Sequence, residues 1–566
     1  MTTLIFLESS AKQRTIQSIL GSGYCIMATQ GHICELEMKG KYNLGVNLEN
    51  FVPSYAVLSF KKQKLKFWKK IIEENVFQNI LLATDPDREG EGIAREIVEQ
   101  LQLKEGQYKR IVFYEITPSA IKKALLEPAE LDTCLIESQM SRQVLDKMIG
   151  FCISPLLYKK IKAISAGRVQ SVVLKMIIER ELSIEEFEKR EKRYFIEGEG
   201  TPSSKREKVK VKQVTQDNDL ILYVSQEEAL KKIENLDSEL KIVKKNEEEK
   251  RYPSKVPFTT SSLLSEAKNV LGFSIRQTTK IAQKLYEGVF LKEENISTGL
   301  ITYPRTDSLR INENFSRNAY NYIEKKWGKE YCNFNPIWKN LKTKHSQDAH
   351  ESIHPTSLRE PEELKTSLES DEYRLYELIF ESSLICLMSF AKIERVSYLL
   401  TSKNNYFSYT ENLVKFLGFF AVNPERYFSA YGVKSESSLK TETLLKIDKW
   451  EITEYTVGKP VRYNEGSLVK ELEKLGIGRP STYNSFGATL LKRRYVHLNE
   501  RGQFVPNKLG YDVNDWLQEY FSTIINQEYT ALLENELDRI SNGKNTYFNF
   551  IRGFWEEFSK VFQTLE

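Results

Sequence analysis

Short apolar runs that end on carboxylates set the pattern of the first hundred residues. Thr3-Leu-Ile-Phe-Leu7 reads as a buried strand ending on Glu8. Ser9 or Ser10 can cap a helix over Ala11–Leu20, closed by Gly21. Tyr24–Thr29 reads as a second strand, followed by Gly31-His32-Ile33. A third apolar run, Ile80-Leu-Leu-Ala83, leads into Asp85-Pro-Asp87-Arg-Glu89-Gly-Glu-Gly92, and Ile111–Thr117 reads as another strand before a helix from Pro118. Strand–helix–strand order with acidic residues at the strand ends predicts a doubly wound α/β domain.

Helical spacing dominates from Ile136 to Phe187, broken at Gly150 and at Ser165-Ala-Gly167. In 188–256, short β-like stretches (Tyr194–Glu197, Val209–Lys212, Leu220–Val224) alternate with charged ones, and Asn246–Arg251 reads as a solvated linker. Residues 385–457 read the same way, so the pattern predicts one β region interrupted by an inserted helical domain. The insert opens on the N-cap cluster Thr259–Ser262, with helices over Leu263–Leu271 and Ser274–Glu287 around Gly272, a helix-turn-helix spacing. Leu468–Leu475, Gly476, a helix over Tyr483–Arg493 capped by Ser481 or Thr482, and a hairpin from Tyr495 give a winged-helix pattern. It echoes 263–287 and hints at an internal duplication. Tyr511–Phe562 is helical, with aromatics that read as core.

At 566 residues the chain is too long for one core, so several domains are expected. Apolar content of 40% and charged content of 28% suit a soluble globular protein. No run of 18 apolar residues appears, which excludes a spanning helix, and the N-terminus lacks the pattern of a signal peptide. Six cysteines without a Cys-x-x-Cys pair point to reduced cytosolic thiols rather than a zinc ribbon. A net charge of +4 is nearly neutral, so local basic patches have to carry any case for nucleic acid.

Ligands gather at the carboxyl ends of parallel strands. Asp85, Asp87 and Glu89 would there form a hard-oxygen site suited to Mg²⁺, with Glu8 at the same edge. The plain alternatives are a solvated acidic loop and a Glu8 that favours a helix dipole. In Tyr303-Pro304-Arg305, Pro304 biases Tyr303 towards an extended conformation. A phenol nucleophile with a guanidinium two residues on suits covalent chemistry on phosphate; the alternative is a packed Tyr beside a surface Arg. Arg142 and Asp146 form an i,i+4 pair, and Lys159, Lys160, Lys162 and Arg168 flank a Ser/Gly turn that can cradle phosphate. His350-Glu-Ser-Ile-His354 fits the zinc-protease pattern H-E-x-x-H, but Pro355 pushes His354 out of a helix.

Taken together, Glu8-Ser-Ser-Ala-Lys12, Gly31-His32-Ile33, Ala83–Glu91, Ser165-Ala-Gly-Arg168-Val-Gln170-Ser171, Pro257–Thr260, Ile301–Ser308, Ala349–Thr356 and Gly476-Ile-Gly-Arg479-Pro-Ser481-Thr482 resemble a type IA DNA topoisomerase of the bacterial topoisomerase I type. The resemblance runs from about residue 3 to the C-terminus. It implies a multidomain toroid of mixed α/β, helical and β parts. The implied divisions are a toprim domain over 1–132, a winged-helix-like DNA-binding domain from 133–187 and 458–566, a β-rich arch from 188–256 and 385–457, and a helical domain over 257–384 carrying the tyrosine. It further implies Mg²⁺ on Glu8, Asp85, Asp87 and Glu89, and Tyr303 attacking one DNA strand to hold its 5′ phosphate. Arg305 would steady the phosphate, and Lys12 with Glu8 would protonate the departing 3′ oxygen. His32, Arg142, Asp146, Arg168, Gln170, Ser171, His350, Arg479, Ser481 and Thr482 would bind or arrange DNA. The implied enzyme is an ATP-independent, cytoplasmic monomer acting on single-stranded segments of negatively supercoiled DNA.

Ser10, Gln30 and His354 depart from the family's usual Pro, Ser and Arg, and Pro304 is closer to the topoisomerase III style than to the Met of many topoisomerase I proteins. The chain carries no zinc ribbon or basic tail. A topoisomerase III-like decatenase, a Mg²⁺-dependent nuclease, which needs no tyrosine, an idle DNA-binding module and a zinc protease are the rival readings.

Overall fold

The computed structural model describes residues 2–203, 207–341, 350–439 and 444–565. Ala349, at the head of the His350 motif, lies outside the described residues. The N-terminal region runs β1 (Thr2–Leu7), α1 (Ser10–Leu20), β2 (Tyr24–Ala28), β3 (Cys34–Leu36), β4 (Tyr55–Val57), α2 (Lys62–Glu74), β5 (Phe77–Ala83), α3 (Arg88–Leu101) and β6 (Tyr108–Arg110). β2-β1-β5-β6 form a parallel sheet, in which Leu7 stands beside both Ala28 and Ala83. That register brings Glu8 and the turn after Ala83 out at one edge.

The strands alternate as a two-sided sheet requires. Leu4, Phe6, Ile80 and Leu82 pack with Ile93, Ala94 and Ile97 of α3. Ile5, Leu7, Leu81 and Ala83 face the other way, into a core shared with Tyr286, Ile301 and Tyr303. The parallel sheet is thus buried on both faces, and its second face is covered by the segment that carries the candidate nucleophile.

Residues 111–117 do not form the strand expected of them. β6 stops at Arg110, and the following carbonyls leave the sheet: Tyr303 N–H donates to Tyr114 O (2.8 Å) and Gly299 N–H to Ile116 O (2.8 Å). Their apolar side chains are buried for that reason, not for a ladder.

α4 (Pro118–Leu126), α5 (Thr133–Ile161) and α6 (Arg168–Glu188) lead into β7 (Tyr194–Pro202), β8 (Val209–Val214), α7 (Gln226–Ile233) and β9 (Glu239–Tyr252). Residues 246–251 belong to β9 and are no linker. Their side chains are mostly exposed, but the backbone pairs with a later strand from Asn246↔Ser397 to Arg251↔Lys392, so charge there marks a solvated strand face. Leu220–Val224 makes only isolated bridges, Leu220 to Val214 and Tyr223 to Tyr194.

The chain continues through α8 (Thr260–Glu266), α9 (Ile275–Glu287), β10 (Val289–Leu291), β11 (Ile296–Thr298), α10 (Glu313–Trp327) and α11 (Ser370–Ile385). Thr259 closes a capping box with Ser262, and Gly272, at φ 76°, ends a π-turn between α8 and α9. β12 (Ala391–Ser402), β13 (Asn405–Phe416), α12 (Pro424–Tyr431), β14 (Val433–Lys434) and β15 (Leu444–Glu454) then complete one seven-stranded sheet, ordered β12-β9-β15-β7-β8-β13-β14. α13 (Glu465–Leu475), α14 (Phe486–Lys492) and the hairpin β16 (Val496–Leu498)–β17 (Phe504–Pro506) follow, then α15 (Lys508–Phe521), α16 (Gln527–Ser541) and α17 (Tyr547–Gln563). Phe550, Phe554, Phe558 and Phe562 of α17 share a core with α5, α6 and α13.

Candidate active site

β5 ends in a turn that only glycine at position 90 permits. A Cβ there would lie 2.1 Å from Asp85 O. Asp87 caps α3 by accepting from Gly90 N–H (2.9 Å), and Thr84 Oγ1 donates to Gly90 O (2.7 Å). The turn therefore presents Asp85 and Asp87 together. Tyr303 reaches them from the other region, its hydroxyl 2.7 Å from Asp87 Oδ2 and 3.3 Å from Asp85 Oδ2. Arg305 Nη1 lies 3.5 Å from the same Asp87 oxygen. Lys12 donates to Asp85 Oδ1, with both side chains buried, and its ammonium sits 4.9 Å from the centre of the Tyr286 ring. Thr302 Oγ1 on Ser352 O (2.8 Å) and Thr260 Oγ1 on Pro304 O (2.8 Å) hold the tyrosine loop from both sides.

Burial pushes the Tyr303 hydroxyl well above its ordinary pKa, and Arg305 offsets only part of this. The phenol is thus protonated and donates to the carboxylates. Glu8 is pushed up to about 7, by burial first and then by Asp85 and Asp87, against the opposing charges of Lys12 and Arg305. Its Oε2 is buried without a hydrogen-bond partner.

Glu8, Asp85 and Asp87 thus face the two cations Lys12 and Arg305, with Glu8 about half ionised at pH 7 and one of its carboxylate oxygens orphaned. Hard oxygen donors in that balance fit Mg²⁺. In the side-chain arrangement seen here, no three His, Cys, Asp or Glu groups among the described residues converge closely enough to hold a metal. Asp85 is turned to Lys12, Asp87 to Tyr303, and Glu89 elsewhere.

Glu89 bonds to His32 Nε2 (3.2 Å) and accepts from Gln139 Nε2 (3.4 Å), while His32 Nδ1 donates to Glu96 Oε1 (2.7 Å). Burial opposes charge on His32, but hydrogen bonds to Glu89 and Glu96 outweigh it and lift the imidazole to about 10. Burial likewise opposes charge on Glu89, yet His32, Arg142 and Arg88 hold it down at about 2.

His350 Nε2 donates to Pro86 O (2.7 Å), inside the acidic turn, and burial holds this imidazole below its usual pKa, so it is neutral. Its ring centre is 6.4 Å from that of Tyr303. His354 instead bonds Pro355 O through Nδ1 (2.8 Å) and Glu351 through Nε2 (3.2 Å). Residues 350–356 are not helical. The H-E-x-x-H spacing therefore builds no zinc site.

The remaining candidates gather beside Glu89, at a cluster of arginines. Arg142 Nη1 reaches Ser481 Oγ (3.5 Å) and its Nε lies 3.7 Å from Asp146. Asp146 is closer to Arg168 Nε (2.8 Å). Arg168 Nη1 also lies 2.8 Å from Glu534 Oε1, close in distance but off-line in angle, so charge rather than a directed hydrogen bond holds that pair. Arg479 donates from Nε to Asp538 Oδ2 (3.1 Å) and from Nη1 to Gly478 O (2.6 Å). Arg88 reaches Asp538 as well (3.4 Å).

Gln170 and Ser171 brace the Gly167 turn: Ser171 Oγ accepts from Gly167 N–H (3.3 Å), and a Cβ at Gly167 would meet Gln170 Nε2 at 2.6 Å. Thr482 Oγ1 accepts from Arg479 N–H (3.0 Å) and so does not cap a helix. α14 starts later, after Ser485, and 479–482 is a turn shaped by Arg479.

Sequence reasoning missed Arg88, Glu534 and Asp538. Glu534 is fully buried, and four arginines overcome that burial to hold its carboxyl at about 2. A signal was available: Glu534 sits on the buried stripe Thr530, Leu533, Leu537, Ile540 of α16, where a carboxylate survives only with partners.

A parallel-sheet domain with a carboxylate edge is closed over by a buried Tyr-Pro-Arg loop from a helical region, which brings a phenol, two carboxylates and a guanidinium together as covalent chemistry on phosphate requires. A toprim-domain model matches residues 3–116, and a DNA topoisomerase model matches 130–552. The structure of full-length topoisomerase I from Thermotoga maritima, in a monoclinic crystal form, is similar at 35% identity with a TM-score of 0.82. The match covers 99% of this chain and 90% of that one. The chain belongs to the type IA DNA topoisomerases and is bacterial topoisomerase I-like, an isomerase with the toroidal fold of that family.

Proposed function

We propose that the protein cleaves one DNA strand through a 5′-phosphotyrosine at Tyr303, passes DNA through the break and reseals it, relaxing negatively supercoiled DNA with Mg²⁺ and without ATP. The observation that carries this is the Tyr303 hydroxyl 2.7 Å from Asp87, with Arg305 on the same carboxylate. Asp87 is placed to accept the phenol proton as Tyr303 Oη bonds to phosphorus and the bond from phosphorus to the 3′ oxygen breaks. Lys12, with Glu8 titrating near 7, returns a proton to the 3′ oxygen. Arg305 offsets charge on the phosphate. Mg²⁺, held by Asp85, Asp87 and Glu8 with Glu89 at the flank, would add positive charge where phosphate charge builds. The tyrosyl ester keeps the energy of the phosphodiester, so resealing needs no nucleotide.

His32, His350, Arg142 and Asp146 of α5, Arg168, Gln170 and Ser171 at the start of α6, and the turn bearing Arg479, Ser481 and Thr482 would line the path of the single strand. We further propose the division 1–132, 133–187 with 458–566, 188–256 with 385–457, and 257–384, and a monomer working in the bacterial cytoplasm. Incubation with a 3′-end-labelled single-stranded oligonucleotide, stopped by denaturant, tests the chemistry. The label should become covalently attached to the protein and be lost with Tyr303→Phe. Cleavage without an adduct, untouched by Tyr303→Phe, would leave a hydrolytic nuclease.

A further inference from the structure

α2 presents a basic face that the cleavage chemistry does not use. Its sequence, Lys62-Gln-Lys-Leu-Lys-Phe-Trp-Lys-Lys70, buries Leu65 and Trp68 against the parallel-sheet domain. Helical spacing places Lys62, Lys66 and Lys69 along one stripe about 10 Å long. No carboxylate pairs with these three lysines among the described residues, whereas Lys70 pairs with Glu74 (3.5 Å), and Glu73 and Glu74 close the far end. Two aromatic side chains flank the stripe in solvent, Phe60 at 72% exposure and Phe67 at 56%. The Lys61 ammonium sits 5.3 Å from the centre of the Phe60 ring, and two rings left this far in water beside unpaired lysines have the composition of a surface that stacks bases and meets phosphates.

The near end of this face is wired to the candidate active site. Gln30, in a left-handed conformation at φ 62°, donates its backbone N–H to Glu8 O (2.7 Å) and its side-chain amide to Ser10 Oγ (3.0 Å). Its side-chain oxygen accepts from Lys64 Nζ (3.0 Å), and Lys61 Nζ donates to the carbonyls of Thr29 (2.6 Å) and Gln30 (2.8 Å). The turn holding Glu8 and the start of α2 are thus one hydrogen-bonded unit.

We propose that the surface formed by Phe60, just before α2, and by Lys62, Lys66, Phe67 and Lys69 of α2 is a second DNA-binding surface, which carries the single strand onward from the Glu8–Tyr303 cluster. Lysines meet the phosphates, and Phe60 and Phe67 stack on bases that have left the cleavage site. This rests on the proposed cleavage of single-stranded DNA.

The test measures equilibrium binding in the full-length Tyr303→Phe background, as a function of salt. Two single-stranded oligonucleotides are compared, one filling only the cleavage cluster and one extended on both sides. At about 0.7 per phosphate, losing three contacts in Lys62→Gln/Lys66→Gln/Lys69→Gln should lower the slope of log K against log salt by about 2 on the long oligonucleotide. The short one should be unaffected, and the triple Lys→Arg variant should restore the slope. Phe60→Ala/Phe67→Ala should weaken binding of the long oligonucleotide at unchanged slope. An unchanged slope on the long oligonucleotide, or an equal fall on both, overturns the proposal. So does binding to phosphatidylserine vesicles that the lysine variant loses while its DNA slope stays put. Adduct formation by the Tyr303-containing protein on the short oligonucleotide reports the cleavage reading separately, so the two failures are distinguishable.

Discussion

Replacing Arg168 by Met separates a structural role from a DNA-contact role at the arginine cluster. Arg168 is almost wholly buried, with its Nε on Asp146 and its Nη1 2.8 Å from Glu534, itself fully buried. The methionine stem fills similar space but leaves Glu534 with one cation fewer in a site that water does not reach. Removing one partner of a buried pair typically costs about 3–5 kcal/mol. Arg142, Arg479 and Arg88 remain as counter-charges, which places the expected loss at the lower end, about 3 kcal/mol.

The Glu534 carboxyl gives a matching figure. Held at about 2 rather than 4.5, it contributes about 3 kcal/mol at 1.36 kcal/mol per pH unit. That stability is fully present above pH 4.5 and is lost as pH falls towards 2. Urea unfolding followed by Trp516 and Trp555 fluorescence measures the loss. Glu534→Gln in the Arg168→Met background should recover most of it, giving a coupling of about 2 kcal/mol or more in a double-mutant cycle. A loss under about 1 kcal/mol with no coupling, accompanied by weaker DNA binding, would refute the structural role and make Arg168 a phosphate contact.

Further outcomes follow from the same geometry. Glu8 binds its proton more tightly folded than unfolded, so stability should fall as pH rises from 4.5 to about 7. Glu8→Gln should remove that fall, together with an inflection near pH 7 in adduct yield. His32, lifted from 6.5 to about 10, stabilises fully below 6.5 and loses that contribution only as pH rises through 10. Its imidazole NMR signals should show no titration between pH 6 and 8, and a step there would contradict the paired geometry. Gly288→Ala puts a Cβ 2.2 Å from Thr15 Oγ1 at φ 127°. It should cost about 1–3 kcal/mol and lower adduct yield, with Thr15→Ala restoring the part due to the clash, read by thermal unfolding and adduct assay.

Much of the site was legible because its chemistry is local in the chain. Asp85 and Asp87 sit in a turn dictated by the buried strand before them and by Gly90 after it, and the Tyr303-Pro-Arg305 spacing needs no distant partner to be noticed. What stayed hidden is partner choice across the fold. Lys12 reads as a companion of Glu8, four residues away, yet it bonds Asp85, because the parallel register of β1 and β5 brings the Asp85 turn over α1. Glu89 reads as a third member of the Asp85 set, but it begins a helix that turns it towards His32. Charge density misled at 246–251, where exposed glutamates and Arg251 lie on a paired strand. The apolar run 111–117 misled in the opposite sense, since its burial comes from the tyrosine loop laid across it.

The most direct test of the central claim locates the bond. Wild-type protein trapped on a single-stranded oligonucleotide would be trimmed by nuclease, digested with trypsin and read by mass spectrometry. The peptide Glu293–Arg305 contains Ser297, Thr298 and Thr302 as well as Tyr303. Fragmentation should place a 5′-linked nucleotide on Tyr303 alone. A nucleotide on one of the hydroxyl residues, on another peptide, or linked through its 3′ phosphate would contradict the account.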